Sequence, residues 1–227
     1  MPRAVERLAQ LQAHLVTSAK QSGRPAPVLL AVSKTRDSSE ITALNAAGQH
    51  RFGENYVQEA ISKMRELVGN NIEWHLIGHL QSNKAKDVAT HFDWVQSVDR
   101  IKLVDALARH RPGDRGALNL LVQVNIDDEA SKHGCTPADA EAICEAIATH
   151  ESLALRGLMA IPAPSVDVDV RRTAFHDMRL LFDQLRERFP SMDTLSMGMS
   201  DDADLAISEG STMVRIGTAL FGPRPAK

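Results

Sequence analysis

The run VLLAVSKTRDSSE, residues 28–40, passes through five apolar residues and a serine before it meets Lys34. On an extended chain Val28, Leu30, Val32 and Lys34 share one face, so the amine points where the apolar side chains point. A lysine can snorkel from such a strand end into water. The same placement suits a nucleophilic amine, whose titration must fall well below the usual ~10.4 through desolvation or a neighbouring cation. Two further stretches carry complementary chemistry, SMGMSDD at 196–202 and VRIGTALFG at 214–222. Gly198 lets the chain turn, Ser200 can cap a helix and donate to an oxygen, and Gly217 with Thr218 forms a second donor-rich turn; converging donors at a helix start are what a phosphate needs. Each stretch alone also reads as an ordinary N-cap or strand-end glycine. Arg215 shares a strand face with Met213 and Gly217, and it points inward if helices cover Val214 and Ile216. A buried guanidinium requires a partner, either a carboxylate such as Glu54 or an acceptor on a ligand ring. An inward amine, a phosphate cradle and an inward arginine together suggest a phosphorylated aldehyde.

The elements that must position these groups alternate. β-rich runs occupy 28–34, 50–54, 73–78, 92–98, 118–126, 155–161, 193–198 and 212–217, with helical patterns at about 38–47, 55–69, 82–90, 100–110, 137–149, 170–189 and 201–209 between them. Ser38 or Ser39, Ser82, Asp99, Thr136 with Pro137, and Ser200 are the expected helix caps. Strands joined by helical crossovers pair in parallel. The expected fold is therefore a single α/β domain over 1–227, a closed (β/α)8 TIM barrel with an extra N-terminal helix. An open doubly wound sheet would want a glycine-rich first turn, and SKTRDSSE holds no GxGxxG. In a barrel the site gathers at the C-terminal strand ends. There the sequence offers Lys34, Glu54 with Asn55, His75 and His79, Asn125 with Glu129 and Lys132 beyond it, and the two stretches that end the last two strands.

Composition removes other classes. The chain has 227 residues, and 26 basic against 29 acidic ones leave a net charge of -3 with no basic block, so nucleic acid is not an expected partner. The N-terminal segment spaces Val5, Leu8, Leu11 and Leu15 as an amphipathic helix, not as a signal peptide, and no run reaches the 18 or more apolar residues of a membrane span. A soluble cytoplasmic protein is expected. Cys135 and Cys144 are the only cysteines, which suits neither a disulfide framework nor a CxxC site. His75 and His79 are four apart but on a strand and its loop, so the helical HxxxH geometry is missing and no metal site is expected.

Six ordered segments, AVSKT, FGENYVQE, WHLIGHLQSNK, GLMAIP, LSMGMSDD and GSTMVRIGTALFG, resemble the pyridoxal 5'-phosphate homeostasis protein family, also called the YggS or PROSC family. The resemblance implies a barrel similar to the N-terminal domain of alanine racemases, with pyridoxal phosphate held as an imine on Lys34. It further implies that Ser200, Gly217 and Thr218 hold the phosphate beside Met199, and that Arg215 faces the pyridine nitrogen, which it would keep unprotonated. Asn55, His75 and Met159 would line the pocket, and Glu129 with Lys132 would form a release loop. Where the family often carries a lysine after SKT, this chain has Arg36. The implied role is a carrier, a monomer that hands the cofactor to transiently bound apoenzymes. A racemase-like enzyme and a Schiff-base aldolase of phosphosugars are the alternatives. A two-base racemase would need a second base and a second domain, and the only tyrosine is Tyr56.

Overall fold

The computed structural model describes residues 2–127, 129 and 132–223. Its strands are β1 (Val28–Val32), β2 (Arg51–Glu54), β3 (Glu73–Leu76), β4 (Trp94–Val98), β5 (Leu118–Val124), β6 (Leu153–Ala160), β7 (Thr194–Ser196) and β8 (Met213–Ile216), and they close into a parallel barrel in sequence order. Closure is made between β8 and β1, where Leu30 lies opposite Arg215 and Ala31 opposite Ile216. The (β/α)8 barrel read from the alternation is the fold observed.

The helices are α1 (Pro2–Gln21), α2 (Ser38–Ala46), α3 (Val57–Glu66), α4 (Ala85–His91), α5 (Ile101–His110), α6 (Ala140–Ala148), α7 (Val168–Arg188), α8 (Ala203–Ser208) and α9 (Thr218–Phe221). α1 buries Leu8, Leu15 and Ala19 and packs on α2, α8 and α9, so it covers the wall where the barrel closes. Outward strand residues such as Ala31, Phe52, Leu76 and Val214 join helix residues such as Ile41, Phe175 and Phe182 in the main apolar core. Inside the barrel an apolar group of Trp94, Leu121 and Met159, with Ile161 against them, is joined by Leu30 and Met213, buried on the inner face beside Arg215. The remaining interior is polar, because His75, Gln96, Ser196 and Arg215 are all buried there.

Several local expectations shift. The run at 28–34 is strand only to Val32: Ser33 N–H still donates to Gly53 at 3.0 Å, and then the chain turns through Thr35, whose φ of +61° is one that side chains seldom adopt. Thr136 caps as expected, accepting from Asp139 N–H at 3.2 Å with Pro137 next. The other expected caps are displaced. α2, α5 and α8 are flanked by Asp37, Arg100 and Asp202, and the 3-10 turn at Ser82–Lys84 by Gln81. Asp99 is bonded instead by its neighbour Arg100, and Ser200 by Ala219 N–H, 19 residues further along the chain.

Candidate functional site

A cavity of about 290 Å³ opens at the C-terminal mouth of the barrel, lined by Val32, Lys34, Asn55, Ile77, Ile161, Met199, Ser200, Asp201, Arg215, Gly217 and Thr218. It is at the small end of the ~300–1,000 Å³ range of ligand pockets. Lys34 is half-buried on its wall. Arg215 comes from the adjacent strand at the level of Leu30, below the lysine, so it forms floor while Lys34 stands at the rim.

The turn that carries Lys34 is anchored from outside the barrel wall. Lys63 on α3 is buried, and its Nζ donates to Ser33 O at 2.8 Å, Glu54 Oε1 at 2.8 Å and Glu59 Oε1 at 2.7 Å. Ser33 Oγ donates to the same Glu54 oxygen at 2.6 Å, and Thr35 N–H donates to Glu59 Oε1 at 2.6 Å. The residues on both sides of Lys34 are thus tied to one buried ammonium, which holds Thr35 in its left-handed conformation. Burial raises the Glu54 carboxyl above its ordinary value against the opposing pull of Lys63 and Ser33. Its second oxygen, Oε2, is buried without a hydrogen bond. Sequence reasoning did not find this hub. Glu59 and Lys63 stand four apart on a helix, which by spacing alone is an ordinary surface ion pair.

Arg215 does point inward, but its partner is not Glu54. Its NH1 donates to Ser196 O at 2.7 Å and Ser196 Oγ at 2.8 Å, and its NH2 donates to Ala160 O at 2.7 Å. These acceptors are neutral, so they satisfy N–H groups without cancelling the charge. Burial pushes the guanidinium down to about 10 against the opposing pull of the Asp202 carboxylate, which leaves it a cation at neutral pH. A positive floor beneath a small cavity favours an anionic or acceptor-bearing ligand.

From Arg215 a hydrogen-bonded chain descends through the barrel. Ser196 Oγ donates to Gln96 Oε1 at 2.7 Å, Gln96 Nε2 lies 3.0 Å from His75 Nδ1, and His75 Nε2 lies 2.9 Å from Glu73 Oε1. His75 also stacks on Trp94 with ring centroids 5.0 Å apart. Burial lowers the His75 imidazole below its usual value, with Glu73 opposing. Burial alone would raise the Glu73 carboxyl, but its bonds to His75 and Arg51 outweigh that and hold it low. His75 and Met159 therefore lie beneath the cavity and do not line it, contrary to the pocket-lining expectation. Their strand parity was right, but they sit too far down the barrel.

At the other end of the cavity two turns meet. Ala219 N–H donates to Ser200 Oγ at 3.5 Å, which links the loop after β7 to the start of α9. Ser200 does not cap α8 as expected; the helix begins at Ala203, and Asp202 Oδ1 instead accepts from Met199 N–H at 2.6 Å. Gly198 has φ +92°, and a Cβ there would stand 2.5 Å from the Ala206 methyl, so the turn requires glycine. Met199, Ser200, Gly217, Thr218 and Asn55 all reach the cavity wall. Glu129 and Lys132 do not. Lys132 Nζ donates to the carbonyl of Ile161, a wall residue, at 3.0 Å and lies 3.7 Å from Glu129 Oε2. Arg36, the departure from the family pattern, is engaged elsewhere, donating to Gly222 O at 2.5 Å and Pro223 O at 3.1 Å.

A closed parallel barrel with a lysine after its first strand and a buried arginine under the same cavity belongs to the (β/α)8 barrels whose mouth is built to take an anionic ligand. Residues 5–225 match the family described as alanine racemase, N-terminal domain. A pyridoxal phosphate homeostasis protein of Pasteurella multocida is 50% identical over 225 residues, covering 96% of this chain and 97% of that one. PipY of Synechococcus elongatus PCC7942, solved with PLP bound, superposes with a TM-score of 0.84 at 37% identity, covering 96% of this chain and 100% of that one. An alanine racemase from Corynebacterium glutamicum shares the fold at 19% identity and a TM-score of 0.68, with 94% of this chain and 61% of that chain covered. The chain belongs to the pyridoxal phosphate homeostasis protein family.

Proposed function

We propose that this chain binds pyridoxal 5'-phosphate reversibly at Lys34 and serves as its carrier, without turnover of its own. The observation that carries this reading is the pairing, in one cavity, of an amine on a stiffly anchored turn with a buried cation whose hydrogen bonds all go to neutral acceptors. The residues present fit the group. The bound cofactor supplies an aldehyde that a neutral amine can capture, on a ring whose nitrogen is an acceptor and whose side arm is a phosphate monoester.

Lys34 supplies the amine, and the Lys63 hub keeps the backbone on both sides of it from relaxing. Arg215 donates hydrogen bonds and retains its proton, so an acceptor it faces stays unprotonated and gains little electron-withdrawing power. Ser200, Gly217 and Thr218 present hydroxyl and backbone donors for the phosphate, while Val32, Ile77 and Ile161 pack against apolar ring surface. Met199 and Asn55 complete the wall. Among the described residues no histidine or tyrosine lines the cavity, and Tyr56 is 59% exposed. A carrier fits that wall better than a two-base racemase does. Transient apoenzyme partners and a monomeric state belong to the same reading. Among the described residues no helix is long and apolar enough to cross a membrane.

The test is the absorbance spectrum of purified wild type beside Lys34→Ala, followed by borohydride reduction and peptide mapping. A visible band fixed by borohydride onto Lys34, absent in the variant, is expected, together with transfer to an apoenzyme on mixing. A colourless protein that traps a sugar phosphate would point to an aldolase. Conversion of L-alanine to D-alanine above the Lys34→Ala background would defeat the carrier.

A further inference from the structure

Away from the cavity, at the same rim, His79, Asp99 and His133 converge so that one ligand atom from each lies within 4.8 Å of the others. They come from the loops that follow β3, β4 and β5. The two imidazoles stack with centroids 3.8 Å apart and planes inclined by 16°. His79 Nδ1 is 3.7 Å from Asp99 Oδ2. That gap is too long for a hydrogen bond. It is close to the roughly 3.4 Å that separates two ligand atoms of a tetrahedral ion bound at 2.0–2.1 Å.

The surroundings hold these groups in place. Arg100 NH1 donates to the other carboxylate oxygen, Asp99 Oδ1, at 2.5 Å, which aims Oδ2 at the histidines. Ser97 Oγ donates to Gly78 O at 2.6 Å, beside His79, and Gln123 Nε2 donates to His133 O at 2.9 Å. Oriented ligands of this kind are the outer support that metal sites require. Both imidazole side chains reach solvent, so an ion has a path in, and binding it requires His133 to swing out of the stack so that both in-plane nitrogen lone pairs point at the ion.

We propose that His79, Asp99 and His133 form a site for a single divalent transition ion of the zinc, cobalt or nickel kind, with water in the remaining position. Two imidazoles and one carboxylate, without thiolate, match the borderline ligand preference of those ions, and the third ligand of the open type leaves one place unfilled. Helical spacing does not reveal this site. It takes one histidine from the pair read in the sequence and finds its partners 20 and 54 residues further on, at Asp99 and His133. A bound ion would clasp the loop after β5 to those after β3 and β4, beside Lys132 and its contact with the cavity wall at Ile161.

Chelator-stripped full-length protein titrated with CoCl2, read by its visible ligand-field absorption and competed with ZnCl2, tests the site independently of pyridoxal phosphate. The expected result is one ion per chain, with binding at least tenfold weaker in His79→Ala and in His133→Ala and unchanged in His110→Ala, an exposed histidine of α5. The inference is overturned by no cobalt spectrum at about 100 µM ion, by binding that survives both substitutions, or by equal loss in the His110 control. Far-ultraviolet dichroism of the variants separates lost ligands from lost folding.

Discussion

Replacing Lys63 with methionine keeps the stem of the side chain and removes the ammonium around which the Lys34 turn is built. Glu54, with 0% of its surface exposed, then keeps only the 2.6 Å bond from Ser33 on one oxygen and none on the other. Breaking a buried pair in this way costs about 3–5 kcal/mol, a large share of the roughly 5–15 kcal/mol that holds a domain folded. The sign with pH follows from the carboxyl. A folded-state value raised by burial means that ionising Glu54 opposes folding, so its penalty is absent below the ordinary carboxyl value and grows as pH rises through the raised one. Losing Lys63 removes the strongest opposing influence and pushes the carboxyl further up. Urea unfolding of Lys63→Met should therefore show a deficit of about 3 kcal/mol or more near pH 8 that shrinks toward pH 5. Glu54→Gln in the same background should recover most of it. A deficit under about 1 kcal/mol, the size of an exposed pair, or one independent of pH, would refute the hub.

Arg215→Met removes the buried cation of the floor, and binding of pyridoxal 5'-phosphate, followed by absorbance titration, should weaken at least tenfold, about 1.4 kcal/mol; wild-type affinity would remove Arg215 from the site. His75 is held neutral by burial, so stability should fall as pH drops below its ordinary value near 6.5, and His75→Gln should flatten that slope in thermal melts. Gly157 in β6 has φ +146°, and a Cβ there would meet Thr194 O at 1.9 Å. Gly157→Ala should consequently lower stability by well over 1 kcal/mol, measured by urea unfolding, and an unchanged midpoint would contradict the strand packing described.

Much of the fold and part of the site were legible because they rest on short-range rules. Alternating runs and helical crossovers specify a parallel barrel whatever the details of packing, and period-two parity placed Lys34 and Arg215 on the inner face. The partner of Arg215 was not legible. Glu54 lies one strand along from Lys34, but on the outer face, where it meets α3 rather than the barrel interior. Parity likewise says inward for His75 without saying how deep, and depth depends on the tilt and stagger of all the strands together. Caps failed where a side chain had another partner, Asp99 in its own neighbour Arg100 and Ser200 in Ala219 N–H across the rim.

The sequence by itself determined the class of the fold, the inward lysine and arginine, and, through six ordered segments, the family. Tertiary structure alone decided what supports the lysine, which neutral groups receive the arginine, and which rim residues meet. Those features join loops and strands far apart along the chain. Hydrophobic period and turn chemistry act over a few residues, whereas a buried ammonium or a gap between two histidines and a carboxylate exists only once the barrel has closed.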